Sequence, residues 1–269
     1  MFHFTALFLY ALALTLWIRG LLTGARGRGQ AVAPWIAVAA VLSHLSALTL
    51  FALEYRQLPL VGLGPALSSL ALVLGLGLVA TLSLREATRI GIVVVPLILV
   101  LQTVALVTGV DPTREPLDFQ GIWFALHVTF AFLGYQGLAL AFAAGLLYLV
   151  QFHELKSKRL GRVFRFIPPL ATLDGLGRVS LWIGFGGLSI AIVLGWAWTL
   201  RYRGTFQVAD PKTLWAVVSW TAVVVALLAR RGGDRPGRTG ALAAVLGFGV
   251  VVLFFLVLRL MAVENGLFL

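Results

Sequence analysis

Two histidines, His44 and His127, lie inside stretches that are otherwise almost wholly apolar, "WIAVAAVLSHLSALTLF" and "GIWFALHVTFAFLGYQG". An imidazole in hydrocarbon is costly unless something pairs with it. Such a residue marks either a functional site or a neutral histidine hydrogen-bonded across a helix interface. Neutral imidazole is a good axial ligand for haem iron. Other chemistries fit less well. Two histidines with no carboxylate nearby fall short of the three or four ligands zinc usually takes. A proton relay would show Asp or Glu among the apolar residues, and here the acidic residues sit at the edges and in polar breaks. The chain has no cysteine, so thiolate sites and disulfides are excluded. The remaining histidines suggest no more than solvent exposure, His3 at the N-terminus and His153 in a basic segment.

Helical spacing sharpens the case for His127. Its stripe at i−4, i+4 and i+7 is Trp123, Ala131 and Gly134. Small residues beside the imidazole, under a large ring, leave room for something flat. His44 has Ala40 and Ala47 along its own stripe.

The elements that must position these residues are transmembrane helices. Of 269 residues, 60% are hydrophobic and 12% charged, against about 25% charged in a soluble domain. A span needs about 20 mostly apolar residues. Eight stretches qualify: 4–22, 35–53, 60–84, 90–110, 121–150, 178–200, 213–230 and 241–262. The breaks between them are polar or rich in Gly and Pro, such as "DPTREPLDFQ" and "RRGGDRPGRTG". The short break after span three predicts a tight antiparallel pair with span four. Glycines in "GLGLVA" and "GFGGLSI" read as helix-packing surfaces. The first stretch lacks a basic leader and a small-residue cleavage site, so it reads as a retained span. The fold class is therefore all-α, a polytopic integral membrane protein, with residues 1–269 forming a single transmembrane domain.

Fifteen Lys and Arg fall in alternate breaks one, three, five and seven, and six on the other side. The positive-inside rule puts the larger set in the cytoplasm and both termini outside. It also explains the net charge of +11 without nucleic acid. His44 then lies roughly 13 Å deep, near the midplane, and His127 about a turn and a half inside the outer end of its span. Trp123, Trp196, Trp198 and Trp215 fall near outer ends, as an aromatic belt would. In the basic segment, just before span six, a short interfacial helix is expected, opened by Pro168 and Pro169, with Phe164, Phe166 and Leu170 toward lipid and Arg162 and Arg165 at headgroups.

The chain resembles the cytochrome c assembly protein superfamily, the haem-handling membrane proteins, and within it the shorter HemX-like branch. The resemblance runs over nearly the whole chain. It is carried by "LSHLSALTL", "LHVTFAFLGYQGLALAFAAGLLYLVQ", "IPPLATLDGLGRVSLWIGFGGLSIAIVLGWAW", "DPKTLWAVVSW" and a last span ending in "VEN". Full haem-transfer members carry a tryptophan-rich outer loop ending Trp-Asp-Pro-Lys. Here it reads "RYRGTFQVADPK", keeping Asp210, Pro211 and Lys212 without the tryptophans. Where those members have a histidine after that loop's span, this chain has Ala229, and none follows the last span. Two of the four family histidines match, at His44 and His127.

The resemblance implies a haem b-binding protein of the inner (cytoplasmic) membrane, acting in cytochrome c maturation or haem homeostasis. It would handle or deliver haem at the outer face, as an assembly factor with no catalytic residues rather than an enzyme. Its partners would be haem, the lipid bilayer and other cytochrome-assembly or haem-biosynthesis proteins. His127 and His44 would be iron ligands, on one haem or two. An aromatic lid over His127 would include Trp123 and one or more of Trp196, Trp198 and Trp215. Arg259 would meet the propionates, with Arg201 and Arg203 as alternatives. Two other readings remain open. One is a non-haem scaffold regulating a partner through the basic loop, residues 151–178. The other is a small transporter, for which Pro96 and Gln102 in the fourth span are the candidate residues.

Overall fold

The computed structural model describes residues 1–24, 28–83, 87–112, 121–158, 161–203, 210–231 and 236–265. Among them every regular element is a helix: α1 (Phe2–Thr23), α2 (Arg28–Tyr55), α3 (Leu63–Ala80), α4 (Gly91–Thr108), α5 (Ile122–Lys156), α6 (Arg162–Phe166), α7 (Leu170–Arg203), α8 (Pro211–Ala229) and α9 (Pro236–Asn265), with two 3-10 turns between α3 and α4. Eight helices are long and apolar enough to cross a membrane, over Phe2–Thr23, Ala31–Tyr55, Leu63–Ala80, Thr88–Thr108, Ile122–Lys156, Leu170–Arg201, Pro211–Ala229 and Gly237–Leu258. These are the eight stretches read from the sequence, with ends shifted by a few residues. Spans five and six are each extended at one end, by six and eight residues. In lipid a backbone must satisfy its own hydrogen bonds, which is why an apolar run of this length becomes a helix. Pro34 and Pro96 lie within α2 and α4, and both helices run through them. The broken spans that a transporter reading calls for are absent among the described residues.

The contacts divide the chain into two compact units, residues 1–116 with 147–176 and residues 117–146 with 177–269. In the first, α1 buries Ala6, Tyr10, Ala13, Trp17 and Gly20, a three- and four-residue rhythm that lines one face of a helix. Glycines on its neighbours receive the two large rings: Gly75 lies under the Tyr10 hydroxyl and Gly91 under the Trp17 indole. The expected α3–α4 pair is present and antiparallel, with Gly64 at the start of α3 against the carbonyl of Gly109 at the end of α4.

In the second unit, α5 and α7 approach backbone to backbone. A Cβ on Gly137 would meet Ser180 O at 2.5 Å and Gly184 Cα at 2.6 Å, and one on Gly187 would meet Gly134 N at 2.6 Å. The glycines of "GFGGLSI" thus pack helices through Gly184 and Gly187, whereas Gly186 faces nothing within 4 Å. Leu138, Ala141, Leu181, Leu188, Val223, Ala226, Ala244 and Val251 complete the core.

The interfacial helix is shorter and placed differently from expectation. It is the five-residue α6, and it ends before the prolines; Pro169 instead opens α7, its carbonyl accepting from the Leu173 amide. Phe166 is buried rather than lipid-facing. The Arg89 guanidinium sits 5.4 Å from its ring centroid and donates to the carbonyls of Arg165 at 3.1 Å and Phe166 at 2.7 Å. Arg162 donates to the Leu22 carbonyl at 2.9 Å, beside the left-handed Gly24 that closes α1. Cations placed on helix C-terminal carbonyls meet the negative end of the dipole. Here Arg162 and Arg89 hold the ends of α1 and α6, while the Arg162 and Arg165 side chains are exposed.

Candidate functional site

His127 lies in the second turn of α5, partly buried. Its Nδ1 is 2.7 Å from the carbonyl oxygen of Ala191 on α7. A carbonyl only accepts, so Nδ1 carries the hydrogen and Nε2 keeps its lone pair. An orienting hydrogen bond on the far nitrogen is how metal-binding histidines are held. The ring reaches this carbonyl because residue 195, one turn on from Ala191, is glycine. A Cβ at Gly195 would stand 2.7 Å from Cε1 and 2.9 Å from Nδ1 of His127. The imidazole therefore occupies a notch that any other residue would close, with Nε2 left uncommitted. A ring held by its Nδ1 hydrogen with Nε2 uncommitted is what a haem-iron ligand would offer, so the donor chemistry at His127 is compatible with the group.

The sequence-predicted neighbours fall out as follows. Gly134 does not leave room beside the ring: its would-be Cβ meets Leu188 Cγ at 2.6 Å, so helix packing fills that space. Trp123 and Trp196 are more than half exposed. Trp198 packs against Phe124, with centroids 6.4 Å apart. Trp215 stacks on Tyr135 at 4.6 Å and 16°, and meets Phe255 at 5.1 Å. Tyr135 follows His127 by eight positions, about 12 Å along α5, so Trp215 is not brought to the imidazole. The side chains of Arg259 and Arg203 lie outside the described residues. Arg201 is exposed at the end of α7. His153 is exposed, as expected.

His44 has a different environment. It is fully buried, and its Nε2 lies 3.0 Å from Ser68 Oγ on α3. Ser68 donates to Gln102 Oε1 on α4 at 2.9 Å, and Gln102 Nε2 lies 3.0 Å from His3 Nδ1 on α1. His44 Nδ1 is buried without a partner. Ala40 and Ala47 are both buried, as helix packing rather than as the floor of an open site. His3 is therefore not simply solvent-exposed: it is half-buried and ends a four-helix polar chain. Sequence signals for this layer existed in "LSSL" and in the lone Gln102 of an apolar span, but neither names its partner. Among the described residues no group of three or more His, Asp or Glu could hold a metal ion.

The motif residues Asp210, Pro211 and Lys212 begin α8. Asp210 is its N-cap, accepting the Lys212 amide at 2.9 Å, and Pro211 follows at the first helical position.

The cytochrome C assembly protein family matches this chain over residues 1–264. Among similar proteins, the cytochrome c biogenesis protein CcsA of Guillardia theta is 31% identical over 149 residues, 50% of this chain and 50% of that protein. CcsA of Chlamydomonas reinhardtii is 28% identical over 148 residues, 55% of this chain and 40% of that protein. Protein HemX of Bacillus subtilis (strain 168) is 29% identical over 133 residues, 49% of this chain and 48% of that protein. The chain spans about half the length, or less, of these curated relatives. With a family match along nearly its whole length and eight membrane-length helices beneath it, the chain belongs to the cytochrome c assembly protein family.

Proposed function

We propose that this chain is a haem-binding membrane protein serving cytochrome c maturation or haem homeostasis, with His127 as an axial ligand of haem b through Nε2. The observation that carries the reading is the seating of His127. Its Nδ1 hydrogen is fixed on Ala191 O, its ring lies in the Gly195 notch, and the other nitrogen is left for iron. Haem bound there would supply the cargo; the chain's own part is to fix the tautomer and the ring plane. Trp123, at the start of α5, would flank the site, and Trp215 with Tyr135 would form an aromatic wall further along the helix. Arg259, with Arg201 and Arg203 as alternatives, would meet the propionates, because buried carboxylates need a cationic or wet neighbour. The distribution of Lys and Arg supports an inner-membrane orientation with both termini and His127 toward the outside. Other cytochrome-assembly or haem-biosynthesis proteins would be the partners, and the chain would hand haem on rather than catalyse a reaction.

The test is the absorption spectrum of the purified protein. A Soret band with a pyridine-haemochrome signal is expected, abolished or shifted in His127→Ala and intact in His153→Ala. A colourless protein, or an unchanged spectrum in His127→Ala, would leave His127 as a packed interfacial histidine.

A further inference from the structure

His44, Ser68, Gln102 and His3 come one each from α2, α3, α4 and α1, and their polar atoms follow one another at 3.0, 2.9 and 3.0 Å. The Gln102 amide gives this chain a direction, because its carbonyl end can only accept and its amino end can only donate. Ser68 has one hydrogen and gives it to Gln102 Oε1. The Ser68 oxygen must then accept from His44, so His44 carries its hydrogen on Nε2 and its lone pair on Nδ1. At the other end Gln102 donates to His3 Nδ1, so that nitrogen holds a lone pair too. Turning the amide over would reverse each bond and move the His44 hydrogen to Nδ1. That atom is buried without a partner, and an orphaned buried N–H is a rare defect in native structures.

We infer that Ser68, Gln102 and His3 are positioning residues for His44: they hold it as the Nε2–H tautomer and make Nδ1 its available nitrogen. Gln102 is the decisive member, since it alone fixes polarity toward both ends. The consequence for iron rests on the haem reading above: a metal bound at His44 without breaking the bond to Ser68 would take Nδ1. His127 is set the opposite way, with Nδ1 committed and Nε2 available. His44 and His127 thus present different ring atoms.

The tautomer can be read directly. The full chain, labelled with 15N-histidine, produced in haem-deficient cells and purified in detergent, would be examined in its haem-free form by long-range 1H–15N NMR, with His44→Ala assigning the signals. The expected wild-type result is a single His44 tautomer protonated at Nε2. Ser68→Thr, which keeps the hydroxyl, should preserve it. Gln102→Leu and Ser68→Ala should give comparable populations of both tautomers, while His127→Ala leaves His44 unchanged. Hydrogen on Nδ1 in the wild type would overturn the direction, and that measurement needs no variant to fold. A single Nε2–H tautomer persisting in either Gln102→Leu or Ser68→Ala would overturn the positioning role. Because no haem is involved, failure here leaves the Soret test of His127 standing, and the reverse holds equally.

Discussion

Gly195→Ala separates positioning from packing at His127. The new methyl would stand 2.7 Å from Cε1 and 2.9 Å from Nδ1 of the imidazole. Carbon atoms prefer about 3.5–4.0 Å, so the ring must retreat by about 1 Å. The bond to Ala191 O, now 2.7 Å, then stretches past the useful range and is lost, at a net cost of about 0.5–1.5 kcal/mol. Against this, alanine gains about 1 kcal/mol over glycine inside a helix. The two terms nearly cancel, so the melting temperature should move by no more than a few degrees, roughly 2–4 °C per kcal/mol being usual at this size. The ligand geometry has no such compensation: the ring is displaced and its tautomer is released. The Soret band should therefore be lost or shifted as in His127→Ala, in a protein that melts almost normally. Absorption spectroscopy and a thermal melt on one preparation check both halves. If Gly195→Ala kept the wild-type spectrum while His127→Ala lost it, the notch argument would be refuted. A fall in melting temperature of ten degrees or more would mean the glycine serves helix packing instead.

Reporter fusions at Arg162 and Arg235 should report cytoplasm, and fusions at Leu117 and Gln207 the outside; the opposite pattern would reverse the orientation drawn from the charge asymmetry. Arg89→Ala removes two hydrogen bonds to the end of α6 and a cation–π contact, so amide exchange across Arg162–Phe166 should accelerate by at least tenfold, a loss of about 1.5–3 kcal/mol; unchanged protection would show that Arg89 does not hold α6. Gly64→Ala drives a methyl into the Gly109 carbonyl and should sharply reduce accumulation of folded protein, whereas Gly186→Ala, with nothing within 4 Å, should be neutral or stabilising by up to about 1 kcal/mol. Equal melting temperatures for those two variants would contradict the close α3–α4 approach.

The spans were legible because an apolar run of membrane length leaves one satisfactory backbone solution, and the breaks were legible because Gly, Pro and charge interrupt it. His44 and His127 could be singled out for the same reason, as polar atoms in an apolar background. What surrounds each could not. The stripe read along α5 gave Trp123, Ala131 and Gly134, yet the residue that makes space for the His127 ring is Gly195, 68 positions on in another helix. Gln102 stood out in its span as an oddity, but its role depends on Ser68 and His3, which reach it from two other helices. Periodicity reports which face a residue occupies; it carries no information on which helix meets that face. The basic segment shows the same limit. Its charges were visible as a docking surface, but Arg162 is spent on the α1 terminus, a use that depends on where α1 ends in space.

His44, fully buried, and His127, partly buried, show how the same side chain is accommodated in an apolar surrounding at different expense. His127 borrows a backbone carbonyl that already belongs to a helix, and needs only a missing Cβ to reach it. No further polar side chain enters the core, and the second nitrogen is left uncommitted. His44 Nε2 is satisfied by a hydroxyl, and a hydroxyl brings its own hydrogen, which must be placed in turn. Ser68 therefore requires Gln102, and Gln102 requires His3. Each added member lowers the desolvation cost of the one before it and adds a further constraint on direction. The chain stops where it reaches His3, a residue only half-buried and able to complete its bonding outside the core. A histidine seated on backbone can be kept by a single glycine, whereas one seated on side chains must recruit a layer of the bundle. That difference explains why the His127 site is compact and the His44 site draws on α1, α2, α3 and α4.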